Sequence, residues 1–324
     1  MSKIKRGLGL VLITIFMFSF VACGKTISDI NKNTKEKKVE ENKEIKKEEI
    51  KTLYPLTIID SLKREVKIEE EPQKIISIAP NITEIVFALG ASEKLIGRTD
   101  YCTYPQEVSK IESIGGMQDP NVEKIVELKP DVVIASTHFK KEILEKLELL
   151  GVKVVVLYGE ESFDGAYESI LKVANILNKN SQADKVVKDM KEKVEFVINT
   201  VNDVEKPSVY YVIGYGEGGD YTAGKGTFIG GIIEMAGANN AAYDVDGWSY
   251  SLEKLVENDP DILICSNKWD SKTGIQAANG YKDLTAVKEG KLMEIDSDLI
   301  QLQGPRLADG LEAMAKLIHP DLFD

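Results

Sequence analysis

The chain writes one sentence twice. Residues 122–136 read Val-Glu-Lys-Ile-Val-Glu-Leu-Lys-Pro-Asp-Val-Val-Ile-Ala-Ser, and residues 252–266 read Leu-Glu-Lys-Leu-Val-Glu-Asn-Asp-Pro-Asp-Ile-Leu-Ile-Cys-Ser. In each copy the apolar positions ahead of the proline recur at helical spacing. Pro130 and Pro260 disfavour helix in the residue before them, and the apolar run behind suits a strand buried in a parallel sheet. A separation of 130 residues is too long for a solenoid period. It predicts two α/β lobes of one kind, with a ligand site in the crevice between them.

The N-terminus says where such lobes work. Residues 1–23 carry Lys3, Lys5 and Arg6, then an apolar run over 8–21, and end in Phe20-Val21-Ala22-Cys23 before Gly24. That order predicts a targeting segment outside the fold, with a run short for a membrane span. Its end resembles the lipobox of bacterial lipoproteins, although Phe20 stands where an aliphatic residue is usual. The resemblance implies lipidation at Cys23 and an extracytoplasmic protein anchored to the cell membrane. Residues 24–51 are mostly Lys, Glu and Asn, which predicts a charged flexible tether.

Beyond residue 51, 29 basic side chains face 46 acidic ones, a net charge of −17. Such a field repels nucleic acid and suits a basic protein surface. The two remaining cysteines, Cys102 and Cys265, fall one in each half, and His138 and His319 are the only histidines. That is too few for a disulfide framework or a Cys/His zinc cluster.

Strands are predicted over 56–60 and 65–68 as a hairpin, and over 74–79, 131–136, 152–158, 208–213 and 291–296. Helices are predicted over 81–89, 140–150, 227–236 and 305–318. Strand, helix, strand in succession indicates parallel sheets. Over 181–204 apolar residues at Val186, Val187, Met190, Val194, Val197, Ile198 and Val201 predict one helix of roughly 36 Å. The fold class expected is therefore α/β, with similar lobes over 52–180 and 205–324, each built on a parallel-rich sheet. One long helix bridges them and keeps lobe motions small.

Two chemical readings fail on spacing. Gly214 to Gly219 is glycine-rich behind a strand, but no helix opens there, and Gly226 stands where a phosphate loop needs Ser or Thr after Lys225. No Gly-x-Ser-x-Gly elbow is present and neither histidine lies in a catalytic setting, so no catalytic residue is assigned and no catalytic cofactor is expected.

The remaining motifs carry a resemblance. They are Lys74-Ile-Ile-Ser-Ile-Ala-Pro-Asn-Ile-Thr-Glu-Ile-Val-Phe-Ala-Leu-Gly90, Thr99-Asp-Tyr-Cys-Thr-Tyr-Pro105, 121–131, Asp220-Tyr-Thr-Ala-Gly-Lys225, Gly247-Trp-Ser-Tyr250 and Gly304-Pro-Arg306. In this order they resemble the substrate-binding proteins of ABC importers for vitamin B12, haem and ferric siderophores, nearest the cobalamin-binding members. The resemblance implies a lobed, monomeric, helix-bridged carrier that binds a corrinoid such as cobalamin in its cleft and catalyses nothing. Its partners would be an ABC permease and ATPase, with the membrane reached through the N-terminal lipid. It also implies ligand contacts at Tyr101, Tyr221 and Trp248, whose flat rings suit a macrocycle, and at Asn81, Asp298 and Arg306, the last two competing with a helix-terminal ion pair. Permease docking falls by position on Glu84 and Glu234. For Glu84 a capping box, Asn81-Ile-Thr-Glu84, is the competing reading. Met117 replaces an aromatic of the cobalamin pattern, and His138 follows the first repeated strand. Together they make an axial pair for haem, with His138 as the metal ligand, and this keeps haem as the runner-up, a ferric siderophore being the other ligand class the resemblance allows.

Overall fold

The computed structural model of the protein describes residues 51–323, so the leader, Cys23 and nearly all of the tether lie outside the described residues. The hairpin pairs β1 (Leu56–Ile59) with β2 (Glu65–Ile68). The first half continues through β3 (Ile75–Ser77), α1 (Pro80–Ala88), β4 (Leu95–Arg98), α2 (Val122–Leu128), β5 (Val132–Ala135), α3 (Lys141–Leu149), β6 (Val154–Val156) and α4 (Phe163–Leu177). The long helix α5 (Asn180–Thr200) leads into the second half. There follow β7 (Ser208–Val212), α6 (Phe228–Met235), β8 (Asn239–Asn240), α7 (Leu252–Asn258), β9 (Ile262–Ser266), α8 (Ser271–Ala277), α9 (Thr285–Lys288), β10 (Leu292–Ile295), α10 (Ser297–Gln301) and α11 (Leu307–Ile318).

Each half holds a four-stranded, wholly parallel sheet, ordered β4-β3-β5-β6 in the first and β10-β9-β7-β8 in the second. Read from opposite edges these are one topology. The opening strand of each half is central, with the second strand on one side and the repeated strand on the other. The strands are buried on both faces, which is why they read as unbroken apolar runs. Along β5, Val132 and Ile134 face a core shared by both halves while Val133 and Ala135 face an outer one; β9 divides Ile262 and Ile264 from Leu263 and Cys265 in the same way.

The repeated sentence builds one device twice. α2 and α7 are capped by Asn121 and Ser251, which accept the amides of Lys124 and Lys254. Both helices end in a left-handed residue directly before the proline, Lys129 at φ 50° and Asp259 at φ 36°. The aspartate after each proline then reaches the neighbouring central strand. Asp131 Oδ2 accepts the amides of Gln73 at 2.7 Å and Lys74 at 2.8 Å, and Asp261 Oδ2 accepts that of Ser208 at 2.7 Å. The carboxylate thus fixes where β3 and β7 begin. Asp131→Ala is expected to cost about 1–2 kcal/mol, and Asp261→Ala, with one amide to lose, about half that. Urea unfolding of the two variants checks the ranking.

Two predictions need correction. The bridging helix begins at Asn180 but stops at Thr200, with a turn over 201–204. There Asn202 Nδ2 donates to Asp203 Oδ1, the local side-chain bonding that competes with helix, and Val201 and Val204 are β-branched. At 21 residues α5 spans roughly 32 Å. It buries Ala183, Val187, Met190 and Val197 against its neighbours α4 and α11. The second correction is α4, a 15-residue helix left unassigned. It is capped by Ser162, whose Oγ accepts the Gly165 amide, and it packs into the shared core.

Candidate functional site

All strands of both sheets are parallel, so their carboxyl ends gather the loops that face the crevice. Between the halves lies a cavity of about 340 Å³, lined from the first half by Asn81, Met117, Ser136, His138 and Tyr158 and from the second by Gln303. Three predicted site residues, Asn81, Met117 and His138, therefore meet on one space. Asn81 Nδ2 lies 3.4 Å from both Ser136 Oγ and the Gln303 carbonyl, a contact that crosses between the halves. His138 is exposed, its Nδ1 is 3.1 Å from Thr137 Oγ1, and its backbone is left-handed at φ 65°. Among the described residues no group of three or more His, Cys, Asp or Glu side chains is arranged around a metal position.

The predicted aromatic contacts stand on exposed loops and do not line that cavity. Tyr101, in the loop after β4, is 60 % exposed, and Tyr221 and Trp248 are 43 % and 42 % exposed. Tyr221 and Trp248 belong to one built unit, since Tyr221 bridges Ser249 and the Thr222 amide donates to the Trp248 carbonyl at 2.8 Å. The glycine-rich loop serves this unit. A Cβ at Gly214 would meet the Tyr221 ring at 2.9 Å, and Gly219 sits at φ 98° beside the same ring. The glycines seat a tyrosine, and the stretch itself holds only a short 3-10 turn, Gly216–Gly218.

The charged predictions fare differently. α1 opens on Pro80 with Ala79 as an uncapped first residue, so the Asn81–Glu84 capping box does not form. Glu84 is 5 % exposed, and its carboxylate binds Arg306 of the other half through Nη2 at 2.6 Å and Nε at 2.9 Å. Burial raises its pKa despite that partner, helped by Asp298 and Asp296. In this arrangement the Glu84 carboxylate is held inside the protein by its own arginine and is not presented on the surface. Arg306 is also taken: Asp296 lies 3.8 Å away and the Tyr104 ring 3.8 Å below the guanidinium. Asp298 pairs with Lys268. For both Arg306 and Asp298 the ion-pair alternative is the one observed. Glu234 is exposed near the end of α6.

Sequence reasoning passed over Tyr104, Tyr158 and Gln303, whose partners lie far along the chain. It also passed over Glu123 and Glu253, which the repeat itself marks. The Pro-Asp turn joins the end of each helix to the start of its strand, so the first turns of α2 and α7 are the ends remote from that junction. Each carries an exposed glutamate in that first turn.

Comparison with known proteins agrees with this architecture. Residues 75–299 match the periplasmic binding protein family. An uncharacterised ABC transporter substrate-binding lipoprotein of Bacillus subtilis is 33 % identical over 87 % of this chain and 91 % of its own length. A cobalamin-binding protein of Halobacterium salinarum is 27 % identical over 82 % of this chain and 74 % of its own. Among solved structures, a Staphylococcus epidermidis protein described as a possible iron-binding, periplasmic solute-binding protein superposes with a TM-score of 0.68 at 30 % identity, covering 77 % of this chain and 100 % of that one. Other relatives are named for vitamin B12 or haem binding.

Proposed function

This chain belongs to the periplasmic binding protein family, and from that membership we propose that it captures a corrinoid between its halves and delivers it to an ABC importer. Proteins of this kind work with a permease and an ATPase and are not enzymes. The observation that supports the corrinoid reading is a cavity between the halves lined by Asn81, Met117 and His138, together with the exposed rings of Tyr101, Tyr221 and Trp248 on loops of the two halves. Flat rings with polar tips suit a broad macrocycle fringed with amides. Capture takes place outside the cytoplasm, with lipidated Cys23 and the charged tether holding a monomeric protein at the membrane. Among the described residues no helix is long and apolar enough to cross a membrane.

A second reading is haem, favoured by Met117 and His138 lining one cavity, with a ferric siderophore as the further alternative. Titrating the chain from residue 25 onward with cyanocobalamin, cobinamide, haemin and a ferric siderophore, followed by visible spectra, separates the two. Corrinoid binding weakened about tenfold or more in Trp248→Ala is the expected result. Haemin bound tightly with no corrinoid affinity, and a Soret band that moves in His138→Ala, would replace the first reading with the second.

A further inference from the structure

Trp269 is the most exposed aromatic ring among the described residues, at 87 %. It sits three residues beyond the end of β9, on the carboxyl edge of its sheet. Its backbone is left-handed at φ 56°, and that of Asp270 behind it at φ 53°. Two consecutive left-handed residues without a glycine are strained, and a bulky tryptophan there is an outlier. The strain leaves an indole in water, which nothing in folding explains.

The surroundings hold this loop firmly. Ser266 Oγ contacts Ser297 Oγ at 3.0 Å and accepts the Lys268 amide at 3.1 Å, while Ser271 Oγ donates to the Lys268 carbonyl at 2.7 Å. Lys268 is paired with Asp298. The first half has a counterpart: three residues beyond β5, His138 is also left-handed and also a ring, and it lines the cavity. Each half therefore follows its repeated strand, three residues on, with an exposed left-handed ring residue at the carboxyl edge of its sheet.

We propose that Trp269 is a ligand-contacting, specificity-determining residue, which lays its indole over the part of a bound corrinoid that protrudes from the cavity. The assignment rests on the corrinoid reading given above. Its test uses the full chain in detergent, titrated with cyanocobalamin. Trp269→Ala is expected to weaken binding about tenfold, with Trp269→Phe recovering most of the loss. Trp269→Gly, which relieves the left-handed backbone, is expected to weaken binding while melting at or above the wild-type temperature. Affinity in Trp269→Ala equal to that of a corrinoid-binding wild type overturns this assignment alone. Normal affinity with lost stimulation of the importer also overturns it, and gives the ring to the permease instead. A wild type that binds no corrinoid overturns the functional reading and this assignment with it.

Discussion

Arg306→Met is expected to cost the fold about 3–5 kcal/mol near neutral pH, and adding Glu84→Gln to the same chain is expected to recover most of that loss. The reason is burial on both sides of the pair, with side chains 4 % and 16 % exposed for Glu84 and Arg306. Removing the arginine leaves a carboxylate inside the protein with Asp296 and Asp298 as its charged neighbours. Removing both charges leaves only shape to accommodate. Burial raises the Glu84 pKa even with Arg306 in place, and loss of Arg306 removes the contribution that opposes it. A carboxyl whose folded pKa is raised binds its proton more tightly folded than unfolded, so its contribution to stability is complete below the unfolded pKa, about 4.3. That contribution is lost as pH rises through the folded value. The deficit of Arg306→Met should therefore be largest at neutral pH and shrink as the pH falls toward about 4. Urea unfolding at both pH values measures it. An equal deficit at each pH, or a double variant no more stable than the single one, contradicts the account.

How much of this was readable in advance depends on sequence distance. The repeat announced α2 with β5 and α7 with β9, because apolar spacing, a pre-proline stop and a buried strand are local signals. α4 was readable in the same way, since Phe163, Ala166, Tyr167, Ile170, Val173, Ala174 and Leu177 keep helical spacing. The use made of Asp131 and Asp261 was not readable, because their partner amides belong to strands 53 or more residues earlier. Glu84 shows the limit most clearly. Three residues behind Asn81 it fits a cap, yet its partner is Arg306, 222 residues away, and the long-range pair outweighs the local one. Family resemblance brought Asn81, Met117 and His138 to one cavity but missed the charge pairing that occupies Asp298 and Arg306.

Charge reversal at Glu123 and Glu253 together is expected to abolish stimulation of the importer's ATPase while leaving corrinoid affinity within about twofold. The two glutamates are the same position of the repeated sentence, each exposed in the first turn of its helix. A permease that straddles the two halves would meet one carboxylate from each, and the excess of acid over base beyond residue 51 favours a basic partner. Helix-dipole stabilisation is the bland account of a first-turn glutamate. It is worth about 0.3–1 kcal/mol per site, too little for Glu123→Lys with Glu253→Lys to unfold the protein. Glu234 lies at the unfavourable end of its helix, so its presence there is not explained by the dipole. Glu234→Lys in the same assay decides whether it joins the pair or only borders it. Glu84→Lys is expected to fail differently, losing stability before it loses stimulation, because it places a cation against Arg306 in the interior. Full stimulation by the Glu123→Lys, Glu253→Lys chain would move the docking surface away from the repeat, and a fall in corrinoid affinity would assign these carboxylates to the crevice itself.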